Sequence, residues 1–203
     1  MVFDNDFALR KIENANSTIS SLNFNQSYLE AYPSLLISCE ILVKALGQNS
    51  ILPIAHIVYG WMPTILKNIS RLDTQKGLIF TATGVTDFKE ALRLVEQIDA
   101  PAINNSWVGL SKVLHFLKPT VFPIWDSNIA LLFKTRLVNN KAAFINFLKF
   151  THQNRDNHNV ILLREFYQEA TTVEISNIRA IELLMFEIGK EEKAVNKILK
   201  RTE

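Results

Sequence analysis

The sequence predicts an all-α chain, and three observations carry that reading. Apolar residues recur at spacings of three and four along most of the 203 residues. Only 6 Gly and 6 Pro occur, too few for the many tight turns of an all-β fold. The one stretch with an extended character, Leu78-Ile79-Phe80-Thr81 between Gly77 and Gly84, is too short to define a sheet. There is no internal repeat, no low-complexity tract and no Gly/Ser/Pro linker, so a single compact helical domain over residues 1–203 is expected.

The elements follow in order. Pro33 suits a helix's first position, and Leu35, Leu36, Cys39, Leu42, Val43 and Leu46 then repeat at helical spacing until Gly47 closes the segment. A second helix is expected from about Ser50, with Ile54, Ile57, Val58, Trp61 and Ile65 on one stripe and Pro63 breaking it. Asp87 and Glu90 form a capping-box pair ahead of Phe88, Ala91, Leu92, Val95 and Ile98. Later stripes are Phe144, Phe147 and Leu148; Leu163, Phe166, Tyr167 and Ala170; and Ile178, Ile181, Met185 and Ile188. A charged last segment, about Glu191 to Lys200, keeps Val195, Ile198 and Leu199 as its apolar edge. Its lysines and Arg201 are interleaved with Glu191 and Glu192, the pattern of a solvated helix rather than a dedicated DNA arm.

Composition excludes several classes. Hydrophobic residues at 48% against 21% charged ones supply a closed core, which rules out general disorder. The single cysteine, Cys39, excludes an intramolecular disulfide and a Cys-built zinc or iron–sulfur site. His56, His115, His152 and His158 show no metal-ligand spacing, so neither metal nor cofactor is expected. The opening Met1-Val2-Phe3-Asp4 carries no basic-then-apolar leader, and no uninterrupted apolar run approaches a membrane span. A soluble, cytoplasmic protein without a membrane partner is the expectation. With 22 Lys+Arg against 20 Asp+Glu, net +2, the chain permits nucleic-acid binding without demanding it.

Residues 104–133 carry the functional signal. Asn104 to Ser106 offer N-cap side chains for a helix from Trp107 to Leu117, and Lys118 before Pro119 is biased out of helical geometry. A loop with Pro119 and Pro123 leads to Asp126, the natural N-cap of a helix with Ile129, Leu132 and Phe133. On the first helix Trp107, Leu110, Val113, Leu114 and Leu117 share one side. Ser111, Lys112 and His115 fall on the other, which predicts a lysine facing solvent or a cleft. Gly109 inside a helix costs roughly 1 kcal/mol relative to alanine and implies a packing or close-approach reason, a phosphate among them.

Val108-Gly109-Leu110-Ser111-Lys112 and Phe122-Pro123-Ile124-Trp125-Asp126-Ser127-Asn128-Ile129 together resemble the helix-hairpin-helix DNA glycosylases, the superfamily of endonuclease III and 8-oxoguanine glycosylase. The resemblance implies a helix-hairpin-helix element and a duplex-DNA partner with a flipped base. It implies Asp126 as the carboxylate assisting base loss and Lys112 as a Schiff-base nucleophile. Val108, Gly109, Leu110, Ser111 and Lys118 would then contact phosphate, and Trp107, Trp125, Trp61 and His115 would wall the base pocket.

The chemistry suits the positions. Breaking an N-glycosidic bond builds positive charge on the sugar, which an ionised carboxylate stabilises, and a helix N-terminus keeps Asp126 ionised. A lysine attacks C1′ only when neutral, and His115 lies one turn from Lys112. Plainer roles stand beside these: Asp126 as an ordinary cap, Lys112 as a solvated or phosphate-touching lysine, the tryptophans as core or rim. Two functions are therefore expected to compete. One is a DNA glycosylase, with or without an abasic-site lyase step, excising a damaged or modified base; the other is a non-catalytic helical DNA-binding or protein-interaction module.

Overall fold

A computed structural model of the chain describes residues 3–15, 19, 26–61, 65–136, 138–171 and 173–202. The fold is all-α, with no strand among the described residues. The helices are α1 (Asn5–Glu13), α2 (Gln26–Leu46), α3 (Ile51–Trp61), α4 (Leu72–Phe80), α5 (Phe88–Gln97), α6 (Trp107–Leu117), α7 (Ser127–Leu132), α8 (Lys141–Asn154), α9 (His158–Thr171) and α10 (Asn177–Thr202). Short 3-10 turns, Gly47–Ser50 and Thr81–Gly84, follow α2 and α4.

Several stop and start signals act as expected. Gly47 adopts φ +54°, the left-handed conformation that ends α2. Asp87 Oδ1 accepts from Glu90 N at 2.9 Å, and Glu90 returns to the Thr86 N–H at 2.8 Å, one residue beyond the usual box partner. Other boundaries differ from the sequence expectation. α2 begins at Gln26, so Pro33 lies inside it; buried Tyr32 and Cys39 on either side supply the packing that tolerates the break in hydrogen bonding. Leu78 to Phe80 is helical rather than extended, the last turn of α4, and Gly77 in that turn lies close to the Gln48 side chain, 3.0 Å from where a Cβ would stand. The charged C-terminal segment is no separate element but the continuation of α10. Pro63 lies outside the described residues, as do the side chains of Ile198, Leu199, Lys200 and Arg201.

Contacts group the chain into two compact units where the sequence reads as one domain. One is Phe24–Ile124; the other joins Met1–Asn23 to Trp125–Glu203. No linker composition marks the boundary, because it falls between two buried residues, Ile124 and Trp125.

In the unit of residues 24–124, α2 packs on α3, and both pack on α6. α3 buries Ile51, Ile54, Ala55, Val58 and Tyr59, the isoleucine and valine side chains each contributing about 1.5–3 kcal/mol if fully removed from water. Cys39 on α2 is wholly buried, which pushes its thiol up to about 11 and leaves it protonated and inert at neutral pH. By length and composition alone the helical stretch Glu30–Trp61 is apolar enough to cross a membrane, a test that the core helix of a soluble protein also passes. Ser34, Ser38, Glu40 and Lys44 interrupt it, so no uninterrupted apolar run of that length occurs there.

In the other unit α10 packs against α7, α8, α9 and α1. Trp125, Phe133, Phe147 and Phe150 form its aromatic core, with ring centroids 5.0–6.2 Å apart along the chain of contacts. Asn159 closes the end of α1 by donating to the Ile12 and Glu13 carbonyls. A buried ion pair, Arg179 with Glu182, lies one turn apart on α10; sequence alone makes such a pair look like an ordinary solvated helix face.

Candidate functional site

α6 starts and stops where its flanking residues dictate. Ser106 is the N-cap, its backbone extended and its hydroxyl accepting from Gly109 N at 3.4 Å. Lys118 leaves helical geometry with φ −153°, as a residue before proline should. Between these ends Trp107 and all residues from Gly109 to Leu117 are buried. The helical wheel sets Lys112 toward solvent or a cleft; the lysine does not face solvent, being 6% exposed. A wheel gives angles only, whereas α2, α3 and the turn Thr81–Gly84 all pack on α6 and cover its polar side too.

Gly109 owes its place to packing rather than to a phosphate. A Cβ there would stand 2.2 Å from the Tyr59 hydroxyl oxygen and 2.9 Å from the Ile103 carbonyl oxygen. The amides proposed to cradle phosphate are also committed within the chain, Gly109 N to the Ser106 hydroxyl and Leu110 N to the Ser106 carbonyl. Ser111 is wholly buried and its hydroxyl donates to the Val108 carbonyl at 2.9 Å. Of the expected phosphate contacts, Val108 and Lys118 retain partial exposure.

Tyr59 is the hub that the sequence did not reveal. Its ring faces Lys112, whose Nζ lies 5.8 Å from the centroid. Its hydroxyl bonds to Asn104, which works against the upward push of burial on the phenol's pKa. Asn104 in turn organises the neighbouring loop, its Oδ1 accepting from Lys67 N and Asn68 N at 2.7 and 2.8 Å and its Nδ2 donating to the Ile65 carbonyl. Asn104 and Asn105 both have left-handed φ, +53° and +48°. Residues 98–106 between α5 and α6 therefore turn on two asparagines, not on the paired glycines of a tight hairpin. The Asn-Asn dipeptide was the available signal, since asparagine tolerates that region better than other non-glycine residues.

Gly109→Ala should destabilise the protein by about 2 kcal/mol, because overpacking and a strained Tyr59–Asn104 bond outweigh the helical gain of alanine. In a Tyr59→Phe background the same change should cost less, the hydroxyl being gone. Additive losses across that double-mutant cycle, read from denaturant midpoints, would disprove the wedge.

His115 is wholly buried and structural. Its Nδ1 lies 2.7 Å from the Phe122 carbonyl oxygen and its Nε2 2.8 Å from the Tyr32 hydroxyl. A carbonyl only accepts, so Nδ1 carries the proton, and in the neutral ring Nε2 accepts from Tyr32. The ring packs with Tyr32 and Phe116, and Trp61 completes this aromatic group, 5.4 Å from Phe116. Trp107 is 4% exposed on the same helix. Tyr32, Trp107, His115 and Phe116 are core, Trp61 keeps partial exposure, and His115 is committed to holding the 118–122 loop onto α6.

Asp126 and Trp125 belong to the other unit. Trp125 is wholly buried, its indole N–H donating to the Val138 carbonyl at 2.7 Å; it anchors the start of that unit's core. Asp126 is half-buried and caps α7 with extended backbone, its Oδ1 accepting from Asn128 N at 2.6 Å. Its second oxygen, Oδ2, accepts no hydrogen bond among the described residues. Gly189 of α10 sits directly behind this cap: a Cβ there would stand 2.3 Å from the Asn128 carbonyl oxygen. The site therefore offers a carboxylate fixed through one oxygen and open at the other, on a short helix braced by α10. Among the described residues no group of three His, Cys, Asp or Glu could hold a metal ion.

A family model described as a family of unknown function, DUF6308, matches residues 57–189. No curated protein and no solved structure matches the chain.

Proposed function

The chain belongs to the DUF6308 family, a family of unknown function, and we propose, from the resemblance of residues 108–112 and 122–129 and from the setting of Asp126, that it is a DNA glycosylase in which Asp126 carries the chemistry. The supporting observation is the half-satisfied carboxylate, held by Asn128 N through Oδ1 while Oδ2 accepts nothing from the described residues. In this reading the C1′–N bond breaks with its electron pair leaving on the base. Positive charge grows on the sugar, and Asp126 Oδ2 stabilises it until water adds at C1′ and loses a proton to solvent, from which the departed base takes one up. The matched region includes Asp126, its bracing residue Gly189 and the whole of α6.

Lys112 takes no covalent part in this proposal. Its burial against the Tyr59 ring favours a structural role in the 24–124 unit over attack on a sugar. The enzyme is thus monofunctional. Duplexes carrying a panel of modified bases, incubated with the protein and run on denaturing gels, should break only after alkali. Borohydride should trap no adduct. Breaks without alkali, with an adduct that Lys112→Gln abolishes, would reinstate the Schiff-base route. The non-catalytic binding module is favoured by one observation, the commitment of Trp107, Trp125 and His115 to the cores. Salt-dependent duplex binding with no base release from any substrate would decide for it.

A further inference from the structure

A duplex substrate needs a surface that holds its phosphates, and the amides at the start of α6 are spent within the chain. The charge suited to that task is concentrated elsewhere. From Ser127 to Arg155 the sequence carries five cations, Lys134, Arg136, Lys141, Lys149 and Arg155, and no aspartate or glutamate. The whole chain is only +2, so what lies outside this segment is acidic on balance. The segment starts directly after Asp126 and covers α7, the connection that follows it, and α8. Lys134 is engaged by Asp4 at 2.8 Å, and Arg155 lies 3.6 Å from Asp156. Arg136 is exposed and makes no ion pair among the described residues.

We propose that the connection between α7 and α8, with Arg136 at its exposed edge and Lys141 in the first turn of α8, binds phosphates of the DNA strand whose sugar Asp126 serves; this rests on the glycosylase reading. The chain turns back at Lys134, φ +51°, where Lys134 N and Thr135 N donate to the Leu131 and Ala130 carbonyls at 2.9 and 3.2 Å. The Val138 carbonyl then accepts from the Trp125 indole at 2.7 Å, which ties the connection to the residue before Asp126. The cations are thus held one short helix away from the carboxylate. α7 has 6 residues, about 9 Å of axis, and a DNA strand carries one phosphate per ~3.4 Å. A strand laid along α7 from a sugar at Asp126 passes roughly two or three phosphates over that span. Arg136 suits one of them, its planar guanidinium bonding two phosphate oxygens at once.

Fluorescence anisotropy of a labelled duplex, titrated with the intact chain from about 50 to about 200 mM salt, reads both affinity and its salt slope. Arg136→Gln should weaken binding about tenfold and lower the slope of log affinity against log salt by about one. Arg136→Gln with Lys141→Gln should lower it by about two. Arg136→Lys should keep the slope, because the charge remains. Lys44→Gln on α2, where the lysine is 73% exposed, should change neither quantity. All variants should keep the parent's far-ultraviolet circular dichroism. Parent affinity and slope in both glutamine variants overturn the proposal, and they leave the glycosylase reading standing where base is still released. A slope lowered equally by Lys44→Gln overturns it too, since binding would then follow overall charge. A parent that binds no duplex at low salt does the same. Weaker binding by the glutamine variants of a protein that releases no base supports the cationic edge and removes the glycosylase reading alone.

Discussion

Asp126→Asn is expected to slow base release by about 10²–10³-fold, the loss typical when one preorganised electrostatic contact to a transition state is removed. The substitution isolates charge from structure. Asparagine caps helices about as well as aspartate, and its side-chain oxygen can accept from Asn128 N as Oδ1 does now. Unfolding midpoints should therefore stay close to those of the parent, and duplex affinity should change little. Single-turnover kinetics on one modified duplex would separate these quantities. A variant as fast as the parent would remove Asp126 from the chemistry and leave it an ordinary cap. Lys112→Gln is the informative companion: it should lower stability through the Tyr59 packing and leave the rate of base release within a small factor.

Gly189→Ala should produce the largest loss of stability of any single methyl added to this chain. The new Cβ would stand 2.3 Å from the Asn128 carbonyl oxygen and 2.7 Å from its carbon. Both are backbone atoms, so no rotamer change relieves the clash and α7 must move away from α10. Alanine's helical advantage of roughly 1 kcal/mol offsets part of this. A net loss of about 3 kcal/mol is expected, at the upper end of ordinary overpacking. Function should suffer as well, because the displaced residue supplies the amide that fixes Asp126. Reduced base release at temperatures where the variant is still folded would show that coupling. An unchanged denaturant midpoint would mean that α10 and α7 are not held at this spacing.

Much of the site's scaffold was legible before any coordinates. Ser106, Lys118 and Asp126 set their helix boundaries through local chemistry, as caps and pre-proline residues do, and local chemistry is what a sequence displays. Gly47 and Asp87 were readable for the same reason. The environment of α6 was not. Its wheel places Lys112 and His115 opposite the apolar stripe, yet three neighbouring elements enclose the helix, and enclosure is a property of tertiary packing. Gly109 was correctly marked as a position needing close approach, but the approaching group is Tyr59, fifty positions earlier in the chain. The two units were invisible because their boundary runs through buried residues rather than a linker. Gly189 escaped notice in a charged stretch that looked like the end of one helix and the start of another.

The reaction itself is tested most directly by the fate of the base. A modified duplex incubated with the protein should release free base, detected by mass spectrometry, in step with the appearance of alkali-labile sites and with the strand otherwise intact. The same preparation of Asp126→Asn should release almost none over the same interval. Duplexes that are bound by the parent protein but yield neither free base nor alkali-labile sites would contradict the glycosylase reading outright.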